Sequence, residues 1–381
     1  MAGALDGVKI VELVGLGPAP FAGMMLADHG AQVIRIHPLK LKRDLPAINT
    51  HADVLARSRP QISVDLKAPE GPALILDLVA EADGLIEGFR PGVAERLGVG
   101  PEPCLARNPK LAYGRMTGWG QTGPMAHQAG HDLNYISMTG ALAAIGPAEA
   151  PVPPINFVGD FGGGGMMMAF GMLAAIVHAR AGGPGQVVDA AMVDGASLLT
   201  SMIHGMRAAG GWTDQRADNL FDGGAYFYGT YECADGGFMA VAALEPQFHA
   251  LFLDGIGIDP AEVDQADKAA WPRVRERVGA IFKSQPRRHW EAVFEGSDAC
   301  VTPVLTWEEA QHAPENTERA LFAAPQGIAQ PAPAPRFARS AAREPHMNTQ
   351  TAEEVLTEWG ISPQRINSLQ HGDVLRDVTL G

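Results

Sequence analysis

From Val8 to Gly118, short apolar runs alternate with longer stretches in which apolar positions recur every three or four residues. "VKIVEL" (Val8–Leu13) leads into the helix-like "PFAGMMLADHG" and then "AQVIRI" (Ala31–Ile36), which predicts a strand, a helix and a strand in βαβ order. Pro18 and Pro20 stand where a first helical turn tolerates a missing N–H, and Gly30 stands where a helix needs a left-handed cap. "QISVDL" (Gln61–Leu66), the helical "PEGPALILDLVAEA" (Pro69–Ala82), "DGLIEGF" (Asp83–Phe89) and "LAYGRMTG" (Leu111–Gly118) continue the alternation. The class predicted is α/β, a Rossmann-like, doubly wound, mostly parallel sheet that binds ligands beyond the carboxyl ends of its strands.

After Gly183 the pattern changes. "QVVDAAM" passes into a long predicted helix from Val193 to about Ala209, and "DGGAYFYGTYECADGGFMAVAALE" (Asp222–Glu245) has hairpin character. Helical signals dominate from Pro246 to Ala313, with "DACVTPVLTWEEA" (Asp298–Ala310) as a late strand-to-helix piece and "AQPAPAPRF" (Ala329–Phe337) as an extended segment. A chain of 381 residues exceeds one compact core. The expected organisation is a large α/β domain over 1–195, a linker helix over 196–221, a smaller α+β domain over 222–325, and a return to the large domain over 326–381.

Apolar residues make up 46% of the chain and charged ones 19%, enough to bury a sizeable core. The formal charge of −14 repels nucleic acid and anionic membranes, so a polyanionic ligand requires a local basic pocket. The three cysteines, Cys104, Cys233 and Cys300, fit neither a disulfide framework nor a zinc ribbon and point to a reducing cytoplasm. Asp6, Lys9 and Glu12 interrupt what would be a signal peptide. Met166–Ala179 is short of the roughly 20 residues a bilayer requires and reads as a buried helix, so no membrane span is expected.

The first βα turn, "GLGPAP" (Gly15–Pro20), starts like a dinucleotide fingerprint but lacks its third glycine and its ribose-binding acid. The next strand carries Arg35 and His37 and runs into Lys40, Lys42 and Arg43. These suit a phosphate on a nucleotide, or form a solvated basic loop. Arg57, Arg59 and Lys67 flank the third strand, and Arg90 and Arg96 flank a turn where Gly92 presents backbone N–H groups. His131 precedes Asp132 at a predicted helix start, which favours developing negative charge; alternatively it is a buried histidine beside an N-cap. Asn156 and Asp160 precede four glycines. A carboxyl there is partly desolvated, which suits a group that takes and returns a proton, or it is an N-cap beside a close-packing device. Glu245 is a lone carboxylate at a strand end. His127 and His131 lack a third ligand, and no metal is expected. Neither a G-x-S-x-G elbow, a Walker loop nor H-E-x-x-H occurs.

"GPAPFAGMMLADHGAQVIRI", "LIEGFRPGVAERLG", "RMTGWGQTGP", "AGHDLNYIS", "PPINFVGDFGGGG", "GQVVDAAMVDGA" and "AVAALEPQF" together resemble the family III CoA-transferase fold and, within it, the α-methylacyl-CoA racemases, nearly end to end. The resemblance implies an interlocked homodimer with an active site shared between chains and an acyl-CoA substrate, with no further cofactor. It assigns His131 and Asp160 as the acid/base groups, Glu245 as the partner-chain residue that orients the histidine, and Asn156 as support. It implies CoA contacts at Val64, Asp65, Leu66, Lys67, Gly88, Phe89, Arg90, Pro91, Gly92, Val93, Arg96, Gly130, Asp132, Leu133, Asn134 and Tyr135. His37 stands where the family carries an arginine, which leaves Lys40, Lys42 or Arg43 to replace it, with Arg43 taken as the contact. The competing readings are a transferase in which Asp160 accepts the acyl group, and a non-catalytic CoA-binding dimer scaffold. A histidine at 131 offers the second proton carrier that inversion needs and acyl transfer does not.

Overall fold

The computed structural model describes residues 3–40, 46 and 48–378, so Lys42 and Arg43 lie outside it. The chain forms two compact units. Unit 1 comprises Met1–Thr139, Ile155–Leu199 and Glu315–Gly381, and unit 2 comprises Gly140–Pro154 and Thr200–Pro314.

Unit 1 is built on β1 (Lys9–Leu13), β2 (Gln32–His37), β3 (Gln61–Val64), β4 (Gly84–Glu87), β5 (Ala112–Thr117), β6 (Gln186–Ala191) and a C-terminal strand, Leu375–Asp377. Their order from one edge is Leu375–Asp377, β3, β2, β1, β4, β5, β6; β1–β6 pair in parallel and the C-terminal strand runs antiparallel to β3. Strand order reverses between β1 and β4, the position where doubly wound sheets bind ligands. Strands covered on both faces read as continuous apolar runs. Along β1, Val11 and Leu13 face a layer with α2 (Glu70–Ala80) residues Leu74 and Leu78, while Ile10 faces α1 (Pro18–Asp28) residues Ala22 and Leu26. The turn after β4 leads into α3 (Val93–Arg96) and α4 (Pro101–Arg107), and α5 (Asp132–Met138) follows β5.

The apolar segment differs from its expected form. It begins as a ten-residue π-helix, Phe157–Met166, and continues as α6 (Met167–Arg180). The resulting 24 residues have a mean hydropathy of 1.4 and are long and apolar enough by composition to cross a bilayer. One face packs on the sheet through Met168, Met172 and Ile176, so this is a core helix buried on one side only. Phe170 and Val177 on the other face are 70% and 66% exposed. The predicted Val193–Ala209 helix is two helices, α7 (Met192–Leu199) and α8 (Ser201–Ala208), parted at Thr200.

Unit 2 carries the antiparallel sheet β7 (Tyr228–Glu232), β8 (Phe238–Ala242) and β9 (Val301–Val304), in that order, with α9 (Pro246–Gly255), α10 (Trp271–Lys283) and α11 (Arg287–Phe294). Aromatic side chains fill its core. Tyr231 stacks on Phe282 at 5.2 Å between ring centroids, and Trp290 meets Phe282 edge-on at 5.0 Å.

Candidate active site

Three segments of unit 1 meet beyond the carboxyl ends of its strands. The first is the β1–α1 turn. Gly17 adopts φ 65°, and a Cβ on it would lie 3.5 Å from Asp160 Oδ2, so a bare turn here lets the backbone approach that carboxyl.

The second is the loop from β5 into α5. His131 is the extended N-cap residue of α5, with an exposed side chain, and its N–H donates to Asn134 Oδ1 at 3.1 Å. Tyr135 folds back so that its hydroxyl donates to the Gly130 carbonyl, and its ring meets Trp119 edge-on at 4.8 Å. Burial pushes the Tyr135 hydroxyl up to about 12, with the charges of Asp160 and Asp132 adding to the shift and that of Arg90 opposing it. The helix start and the β4 loop therefore share one electrostatic environment.

The third is the π-helix. Asp160 lies in its first turn, half-buried, and Asn156 Nδ2 donates to Asp160 Oδ2 at 3.0 Å. Burial holds the Asp160 carboxyl above the usual range and the charge of Asp132 adds to this, whereas the Asn156 hydrogen bond and His131 oppose it. Asp160 is not the N-cap, since Asn156 holds that position. Asp132 is the first residue of α5 rather than its cap, and its Oδ2 accepts N–H bonds from Gly159 and Asp160 at 2.6 and 2.8 Å. The glycines are a packing device: a Cβ on Gly163 would lie 2.6 Å from the Ala196 nitrogen of α7, and one on Gly165 would lie 2.6 Å from the Phe21 ring of α1. A widened i→i+5 turn commonly marks a functional site.

The expected CoA residues fall on the rim of the same sheet. Val64 ends β3 and is buried, and the Lys67 N–H donates to Asp65 Oδ1 at 2.9 Å with its side chain exposed. Leu66 packs on the core. Gly88 and Arg90 are exposed, Phe89, Pro91 and Val93 half-buried. Gly92 caps α3 at φ 82°, and Arg96 is exposed on that helix. Leu133 and Asn134 are exposed on α5. Glu245 is the exposed N-cap residue of α9, in unit 2. Arg43 is not among the described residues.

Four of the basic residues read as phosphate-facing are internal. Arg59 is fully buried and ion-pairs with Glu12, also fully buried, and Arg35 Nε reaches Glu12 Oε1 at 3.2 Å. His37 bonds Gln61 Oε1 at 2.8 Å and is pushed down to about 3 by burial and by Arg35. Arg57 pairs with Asp28 at 2.6 Å and also donates to Gln330 Oε1. Taking charges out of water demands a partner, and each of the three arginines has one. Glu12 and Arg35 occupy facing positions in the β1–β2 register, so an acid inside "IVEL" beside an arginine inside "VIRI" was the available signal. A second network went unpredicted: Arg115 Nε donates to Glu87 Oε1 at 3.0 Å and bridges to Glu95 at 2.8 Å. Glu87 Oε2 accepts the Phe89 N–H at 2.6 Å, beneath the Gly88–Val93 loop. Among the described residues no three His, Cys, Asp or Glu side chains group as metal ligands.

The sequence profile of CoA-transferase family III matches residues 5–352, and the chain belongs to this family. It is 44% identical over 377 residues to an alpha-methylacyl-CoA racemase of Mus musculus, covering 97% of this chain and 96% of that one. A Homo sapiens alpha-methylacyl-CoA racemase is 40% identical over 380 residues, covering 98% and 97%. Among solved structures, a CAIB/BAIF family protein from Brucella suis superposes with a TM-score of 0.76 at 25% identity, covering 90% of this chain and 95% of that one.

Proposed function

We propose that this protein interconverts (R)- and (S)-2-methylacyl-CoA thioesters by removing the α-proton and returning one to the opposite face. The observation that carries the reading is that Asp160, bonded by Asn156 and facing the β1–α1 turn, is held above its usual range by burial while His131, 29 positions away, lies near enough for its charge to oppose that shift. The 2-methylacyl substrate class is supported by the two racemase relatives. One group takes the proton as the α C–H bond breaks, and the electron pair passes into the thioester as an enolate. Backbone N–H groups at the start of α5 stabilise the enolate oxygen, and the second group protonates the carbon from the other side. His131 is the base for the (S) epimer and Asp160 for the (R). The thioester itself supplies the electron sink, so no separate cofactor enters. A transferase nucleophile at Asp160 would leave the histidine without a task.

Asn156 orients the Asp160 carboxyl. CoA lies along Val64–Lys67, Gly88–Val93, Arg96 and Gly130–Tyr135, with Arg43 as a further phosphate contact. The working form is a homodimer in which Glu245 of one chain orients His131 of the other. The exposed apolar side chains of α6, Phe170 and Val177, and of the end of α7, Leu198 and Leu199, support such an assembly, since a soluble monomer gains by covering them. Three free cysteines fit a reducing cytoplasm.

The test is α-proton exchange in D2O from each epimer of a 2-methylacyl-CoA. His131→Ala should abolish exchange mainly from (S) and Asp160→Asn mainly from (R), with racemisation lost in both by about 10²–10⁴-fold. Equal losses from both epimers in both variants would contradict one base per face.

A further inference from the structure

Asp132 stands between the two proton carriers. Its backbone follows His131 directly into α5, while its side chain, 4% exposed, reaches across to the π-helix. There Oδ2 accepts the N–H groups of Gly159 and of Asp160 itself. The other oxygen, Oδ1, is buried and has no hydrogen-bond partner. The contact leaves no slack, because a Cβ on Gly159 would sit 2.7 Å from Oδ2 and 2.9 Å from Cγ. A π-helix begins with more unsatisfied N–H groups than an α-helix, and a carboxylate bonded to two of them makes a short, charge-assisted cap.

We propose that Asp132 is a positioning residue whose carboxylate ties the first turn of the π-helix to the start of α5, and so sets the spacing between His131 and Asp160. This rests on the reading of those two residues as the acid/base pair. The same carboxylate carries charge, and that charge opposes ionisation of Asp160. The groups around Asp160 leave Asp132 as the like charge acting on it. His131 is its neighbour on the loop, and Arg90 approaches from the β4 side through Tyr135. From α1 the π-helix meets Pro18 and Phe21, and from α7 it meets Met192, Gly195 and Ala196, none of them charged; Asp194 of α7 is exposed. One residue therefore acts both on where Asp160 stands and, in addition to burial, on when it is ionised.

The two roles separate in two substitutions. Asp132→Asn keeps an acceptor oxygen and removes the charge, whereas Asp132→Ala removes the tether. Gly159→Ala displaces the carboxylate without altering it. For each, racemisation and single-epimer exchange are measured in D2O from pH 5 to 9, alongside the thermal midpoint. Asp132→Ala and Gly159→Ala should lower racemisation by about 10²-fold, the cost of misplacing groups by an ångström. Exchange needs only one carrier and should fall less, so the ratio of racemisation to exchange drops. In Asp132→Asn that ratio should stay within a few-fold of wild type, and the acid limb of (R) exchange should move to lower pH.

Equal proportional losses in racemisation and exchange for Asp132→Ala and Gly159→Ala would overturn the positioning role, as would unchanged rates in both. An unmoved (R) limb in Asp132→Asn would overturn the charge role. If the unmodified protein exchanges neither epimer, the acid/base reading itself fails, an outcome distinct from these.

Discussion

Arg59→Leu separates a structural from a ligand-binding role for the basic residues near β3. The Arg59 guanidinium is fully buried against Glu12 and pushed down to about 10 by that burial. Leucine would leave Glu12 in the same dry site with Arg35 as its remaining cationic partner, at 3.2 Å. Breaking a buried pair by removing one partner costs about 3–5 kcal/mol. The retained arginine places this case near the lower bound, about 3 kcal/mol. For a body of this size each kcal/mol moves the thermal midpoint by roughly 2–4 °C, so calorimetry should find a fall of about 6–12 °C. Titration calorimetry with CoA, well below that midpoint, should return an unchanged Kd. Arg96→Ala is the counterpart: this exposed side chain should leave the midpoint in place and weaken CoA binding, more at low salt than at high. A shift under 2 °C for Arg59→Leu together with weaker CoA binding than Arg96→Ala would refute the assignment of Arg59 to the interior.

Two further outcomes are expected. Burial raises the Glu87 carboxyl from 4.5 to about 7, so the folded chain holds this proton more tightly than the unfolded chain. Its contribution to stability is complete below pH 4.5 and is lost as pH rises through about 7. Glu87→Gln should therefore gain on wild type by about 3 kcal/mol between pH 4.5 and pH 8, read from urea midpoints; a difference that does not change with pH would contradict the shift. Sedimentation at nanomolar concentration should show a dimer, and Phe170→Glu should give an inactive monomer; an active monomer would remove Glu245 from the site.

The parallel core of unit 1 was legible because strands buried on both faces leave a plain record, a run such as "VKIVEL" bounded by helical period. The two site segments were legible too. A histidine next to an acid at a helix start, and a carboxyl before four glycines, each name a local chemistry. What escaped was everything that depends on a partner distant in sequence. Nothing near Arg57 or Arg59 tells that one meets Asp28 and the other Glu12, so a lining of cations and an internal ion-pair network look alike from composition. The π-helix escaped because its signature is a hydrogen-bond offset, and glycines carry no side chains to display it. Asp132 read as a local feature of α5, yet its hydrogen bonds span 27 and 28 positions.

The C-terminal strand closes the sheet against β3, whose end carries the Val64–Lys67 turn, and the Asp65 N–H donates to the Val374 carbonyl at 2.9 Å. On a translating ribosome β3 emerges early, and its cover follows about three hundred residues later. At roughly 5–20 residues per second that interval is about 15–60 s. Throughout it the nascent chain presents an open strand edge, the surface on which unrelated chains pair and aggregate. Unit 2, contiguous from Thr200 to Pro314 apart from one short loop, is complete before unit 1 has its outer edge. Recovery of active protein from a cell therefore depends on how long that edge stays guarded, and a chaperone that shields extended strands would raise yield without touching the stability of the finished molecule.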